Sequence, residues 1–196
     1  MSQMETVTEN KRADAQRNLQ RIIEVGAQVL GGDPHAGMGE VAEAAGVSRA
    51  TVYRHFSTRE GLVEAIQRQT AEQSVRALDE ARLDEDSAEE ALRRLVAGWL
   101  DVARRHAVPH LLAQGELKKG EEELEGRYRQ MGAQIRALIK RGQASGEFAT
   151  ELAPEWAARS LGALLLAGVR AVDDGTVPAG KVTDLVFTTL VRGLRP

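Results

Sequence analysis

The sequence predicts an all-α protein, with a front domain of three short helices followed by a larger helical domain. Three observations predict it. Apolar residues recur at helical spacing in nearly every segment, no stretch alternates as a half-buried strand does, and glycine, proline and aspartate punctuate the gaps between periodic segments. At 196 residues and 42% hydrophobic content the chain can bury a real core, with room for two modest domains. The expected division is a loose polar arm over 1–14, a front domain over 15–62 and a larger domain over 63–196.

The first helix carries Leu19, Ile22, Ile23, Val25 and Val29 in one stripe. It stops at Gly31-Gly32 and Asp33-Pro34, because the residue before proline is pushed out of the α region. A short helix from about Met38 to Ala45, a turn at Gly46 and a helix from Ser48 to His55 complete a compact trio. Leu62, Val63 and Ile66 open a long fourth helix running toward Leu78. Ser87-Ala88-Glu89-Glu90 has capping-box spacing and starts a fifth, whose apolar face is Leu92, Leu95, Val96, Trp99, Leu100 and Val102. Pro109 interrupts before Leu111-Leu112, and Tyr128, Met131, Ile135, Leu138 and Ile139 mark a further amphipathic helix that ends near Gly142 to Gly146.

The last two segments differ in kind. From Pro154 to Val169, and again from Val182 to Leu194, the chain is apolar or small on nearly every side. Such helices are either core helices of a monomer or are covered partly by a second copy of the chain. The limited interior of a short chain favours the second reading, a homodimer through the last two helices.

Composition narrows the function classes. With no cysteine, thiolate chemistry, disulfides and cysteine-type zinc sites are excluded. The start, MSQMETVTEN, lacks a cationic head and apolar run, and the longest uncharged run, Ser160 to Val169, is far short of the ~20 residues of a membrane span. A cytoplasmic protein with no membrane partner is expected. The net charge of −3 argues against a protein that coats nucleic acid indiscriminately. Its distribution matters more, because from Ala44 through Arg59 there is no acid and there are three arginines.

That stretch has a geometry. With Ser48 as helix cap and about 100° per residue, Val52 and Phe56 share one side, near Val47, where they can meet Val41 and Ala45 of the preceding helix. The opposite side shows Ala50, Tyr53 and Arg54, flanked by Thr51, with Arg49 on the shoulder. Two short helices joined by a tight glycine turn, the second presenting such a face, form a helix-turn-helix fit to read the major groove of duplex DNA. Arginine offers a bidentate fork to guanine, and a small residue lets the helix approach closely. Ser48, Arg49, Ala50, Thr51, Tyr53, Arg54, His55 and Arg59 are therefore the candidate DNA-binding residues, with Arg49 and Arg54 as base readers. Thr51, Tyr53, His55 and Arg59 suit phosphate oxygens.

At Ala45, Gly46, Val47, Ser48, Thr51, Tyr53, His55, Phe56, Arg59 and Glu60 the sequence resembles the TetR family of bacterial transcription regulators, whose hallmark is A-G-V-S-x-x-T-x-Y-x-H-F followed by a base and an acid. The resemblance covers roughly Leu19 to Ile66; the remainder is similar in length, helix content and the apolar final pair. It implies a homodimer whose two recognition helices read a pseudo-palindromic operator, repressing transcription until a small molecule binds the larger domain. The sequence departs from the pattern at two places. Ala36 or Gly37 stands where the family usually opens its second helix with threonine, after a shortened loop, and Gly26 stands where it favours alanine.

The resemblance places an effector pocket between helices of the larger domain. Its candidates are Trp99, His106, His110, Leu112, Gln114, Tyr128, Met131, Ile135 and Leu165, which suit a lipophilic or aromatic effector. Other chemistries lack an anchor. His106 and His110 have i, i+4 spacing, but Pro109 interrupts the helix and no further ligand joins them. Glu121-Glu122-Glu123-Glu125 reads as a solvated helix start, GGDPHAGMG lacks the ending of a phosphate loop, and G-x-S-x-G is absent. No catalytic residue, metal or cofactor is expected. The alternative to a regulator is a helical partner-binding or architectural protein without operator specificity.

Overall fold

The computed structural model describes residues 3–33, 35–106 and 122–195. Eight helices and no strand occur among them: α1 (Gln3–Gly32), α2 (Met38–Ala45), α3 (Arg49–His55), α4 (Arg59–Glu80), α5 (Ala88–His106), α6 (Glu122–Ala144), α7 (Pro154–Asp173) and α8 (Val182–Leu194). α1 takes in most of the polar start that composition alone reads as a loose arm. From Gln3 to Val25 no glycine or proline interrupts the chain, and Glu, Lys, Arg, Ala and Gln are good helix formers.

The chain divides into two compact units, the first running to Arg68 and also taking Arg105 and His106, the second taking Gln69–Arg104 and the described residues from Glu122 onward. The division falls inside α4, a few residues beyond the boundary at 62 expected from the sequence. In the first unit, Ile22, Ala27 and Leu30 of α1, Val41 and Ala45 of α2, Val52 and Phe56 of α3, and Leu62 and Ile66 of α4 form one core. Truncating a fully buried residue such as Leu30 or Leu62 to alanine there costs about 2–5 kcal/mol.

The second unit is built around Leu92, Leu95 and Leu100 of α5, Ile135, Leu138 and Ile139 of α6, and the inner faces of α7 and α8. The amide of Glu90 donates to Ser87 Oγ at 3.1 Å, half of the expected capping box, and the amide of Glu89 donates to Glu147 Oε2 at 2.9 Å. Between α4 and α5 the backbone turns through Arg82 (φ 46°) and Asp86 (φ 57°), left-handed positions that ordinary residues adopt only when held. Two arginines hold them. Arg94 donates to the carbonyls of Ala81 (2.8 Å) and Arg82 (3.2 Å), and Arg141 donates to those of Leu83 (2.8 Å) and Asp86 (2.7 Å).

The two final helices are not covered on every side within one chain. α7 buries Ala157, Leu161, Leu165, Gly168 and Val169, and α8 buries Val182, Val186, Phe187, Leu190, Val191 and Leu194. Yet Trp156 is 62% and Leu185 47% exposed, and Gly162, Ala163 and Ala167 face outward too. No helix among the described residues is long and apolar enough to cross a membrane.

Candidate nucleic-acid interface

The interface is assembled by the turn between α2 and α3. Gly46 follows the last residue of α2 with φ 66° and ψ 32°, the left-handed conformation that favours glycine. Its amide donates to the carbonyl of Glu43 and that of Val47 to the carbonyl of Ala42, both at 3.0 Å, closing the orphan end of α2 as a Schellman motif. Ser48 then caps α3, its Oγ accepting from the amide of Thr51 at 3.1 Å, a contact worth about 1 kcal/mol. The same oxygen lies 2.8 Å from Thr51 Oγ1, so both hydroxyls are engaged with each other.

Val52 is fully buried and Phe56 is 9% exposed, and both belong to the core that includes Val41 and Ala45. This apolar edge pins α3 and leaves Arg49, Ala50, Tyr53 and Arg54 exposed on the other side, with Tyr53 at 53%. Tyr53 and Arg54 are adjacent on that side, so a hydroxyl and a guanidinium share the outward face. α3 has no acid in its first turn and carries Arg54 in its last, where a cation complements the helix dipole.

Three expected phosphate groups are set differently. His55 is half-buried and turns Nε2 inward, where it has no hydrogen-bond partner, so only Nδ1 is left for a phosphate oxygen. Arg59 opens the first turn of α4, half-buried, beside Thr58, whose Oγ1 accepts from the amide of Gly61 at 3.1 Å. Thr51, half-buried, shares its hydroxyl with Ser48. α2 starts from Gly37, which has no side-chain oxygen, and the carboxylate of Glu40 reaches back to accept from the Gly37 amide at 2.7 Å. The weak cap foreseen there is thus offset from within the helix. One feature of this surface has no sequence signal of its own, namely the guanidinium of Arg49 lying against Gly39 of α2.

The candidate effector residues separate. Met131, Ile135 and Leu165 are buried in the second core, with Trp99 packed against it and its indole N–H donating to the carbonyl of Ser74 at 3.0 Å. Tyr128 is 38% exposed over the whole residue, yet burial of its phenol raises the pKa above the usual tyrosine value. His110, Leu112, Gln114 and Glu121 lie outside the described residues, as do the side chains of His106, Glu122, Glu123 and Glu125. A cavity of about 400 Å³ opens elsewhere in the unit, lined by Leu78, Arg82, Leu83, Gln134, Leu138 and Arg141 among others. None of the expected effector residues lines it, and helical periodicity could not find it because part of its wall is the irregular turn after α4, which packs beside α4 and α6.

A family model described as bacterial regulatory proteins, tetR family, matches residues 22–66. The chain is 31% identical over 183 residues to the HTH-type transcriptional repressor LfrR of Mycolicibacterium smegmatis, covering 91% of each chain. Among solved structures, LfrR from Mycobacterium smegmatis in complex with proflavine superposes with a TM-score of 0.73 at 28% identity, over 92% of this chain and 98% of that one. The TetR family regulator PfmR from Thermus thermophilus has a TM-score of 0.69 at 23% identity, over 90% of this chain and all (100%) of the other, and shows the shared fold alone.

Proposed function

The chain belongs to the TetR family of bacterial transcription regulators, and from that membership we propose that it represses transcription as a homodimer, releasing a pseudo-palindromic operator when a small aromatic molecule binds its larger unit. The observation that carries the DNA-binding part is the pinned α3. Val52 and Phe56 are held in the core while Ala50, Tyr53 and Arg54 stand outward, on a stretch without acids, so one cationic helix face is free to enter the groove. In this reading Arg49 and Arg54 read bases, and Ser48, Thr51, Tyr53, His55 and Arg59 position the helix on the backbone.

The outer faces of α7 and α8 support a dimer. Trp156, Gly162, Ala163 and Ala167 of α7 and Leu185 of α8 are exposed apolar or small residues of the kind that a second copy covers. The aromatic effector is supported by the relative's complex with proflavine, a planar aromatic molecule, and by the low charge of the second core. Action on an operator places the protein in the cytoplasm.

Selection from a random duplex library tests this. The protein should retain a two-fold symmetric consensus about 10³-fold or more tighter than random duplex at moderate salt. Arg54→Ala should cost about 1–3 kcal/mol on that consensus and relax one base position, while Arg59→Ala should weaken all sequences alike. Proflavine should release the consensus duplex. Weak binding without a consensus, erased by salt, would instead identify an architectural protein.

A further inference from the structure

Gly39 is the second residue of α2, where a glycine weakens a helix, and a side chain there would crowd Arg49. A Cβ built on Gly39 would stand 2.6 Å from Nη2 of Arg49 and 2.9 Å from both its Cζ and its Nε. Three atoms of one guanidinium crowd the same point, so the group lies across backbone that any side chain would cover. No hydrogen bond or ion pair of Arg49 occurs among the described residues, and the acid next to Gly39, Glu40, gives its carboxylate to the Gly37 amide. The guanidinium therefore rests against Gly39 with its donors unspent.

We propose that Gly39 is a specificity-determining positioning residue: its missing side chain seats the Arg49 guanidinium on α2 and so aims this arginine at one base pair in each half-site. An arginine on an open helix face samples many rotamers, and restricting it beforehand lowers the entropy lost when it binds. The inference rests on the reading of Arg49 as a base reader.

Four full-length proteins, wild type, Arg49→Ala, Gly39→Ala and the double variant, would be run through the same random-duplex selection, with thermal melting in parallel. Arg49→Ala should lose discrimination at one symmetric pair of positions by about 5- to 150-fold. Gly39→Ala should lose part of the discrimination at that same position and no other, and the double variant should match Arg49→Ala. Should Gly39→Ala lower the melting temperature, recovery in the double variant would support the seat, and no recovery would overturn it. A wild-type consensus from Gly39→Ala, with Arg49→Ala altered, overturns the inference and leaves the base reading standing. An unaltered consensus from Arg49→Ala removes both. A double variant worse than Arg49→Ala shows that Gly39 acts through another group, which also overturns the inference.

Discussion

Replacing Gly46 by alanine tests whether the left-handed turn is what joins the two helices of the DNA-binding unit. Space is not the issue, since a Cβ there would meet only Arg21 Nη2, the far end of a flexible side chain, at 3.5 Å. The cost is conformational. Holding a non-glycine residue at φ 66° costs about 1–2 kcal/mol, and the more restricted unfolded chain of alanine returns somewhat less than 1 kcal/mol. A net loss of about 1 kcal/mol remains. Scanning calorimetry should show it as a drop of about 4–8 °C if the first unit melts alone, or about 2–4 °C if the whole chain melts together. Gly46→Asn should lie between alanine and wild type, because the asparagine side chain tolerates the left-handed region. Equal melting of Gly46→Ala and wild type, or asparagine ranking below alanine, would refute the assignment of the turn.

Two further outcomes follow from the second unit. Burial would raise the Glu147 pKa, but hydrogen bonds from the Ser145 hydroxyl and the amides of Glu89 and Ala88, with the charge of Arg141, outweigh it and hold the pKa below the usual value. Its contribution to stability is present above the unfolded-state pKa and fades as pH falls through the folded one, so Glu147→Gln should flatten the acid side of a urea-midpoint profile below the usual glutamate pKa and leave the profile near neutral pH unchanged in shape. Leu185→Glu places a charge on the exposed face of α8, and in a symmetric pair it does so from both sides. Sedimentation equilibrium should then show monomers where the wild type shows dimers, with the helical circular dichroism unchanged.

The elements were legible because local chemistry sets them. Gly46 and Ser48 bracket a turn whose dihedrals and cap bond involve only near neighbours, and the Val52–Phe56 spacing names the buried edge of α3 whatever lies beneath it. The helical start of α1 was missed for a related reason: polarity describes solvation, while the absence of glycine and proline allows a helix. The sites were less legible. Trp99, Met131, Ile135 and Leu165 have the same apolar pattern whether they line a pocket or fill a core, so periodicity cannot separate the two.

By itself the sequence determined the helix order, the turn that joins α2 to α3, and the acid-free cationic face of α3, since each depends on residues within a turn or two of one another. Only the tertiary structure decided that His55 directs Nε2 inward, that Arg94 and Arg141 clamp the left-handed turn between α4 and α5, and that Arg49 rests on Gly39. Those contacts join residues from different elements, where the distance between two side chains is set by how helices pack and not by their separation along the chain.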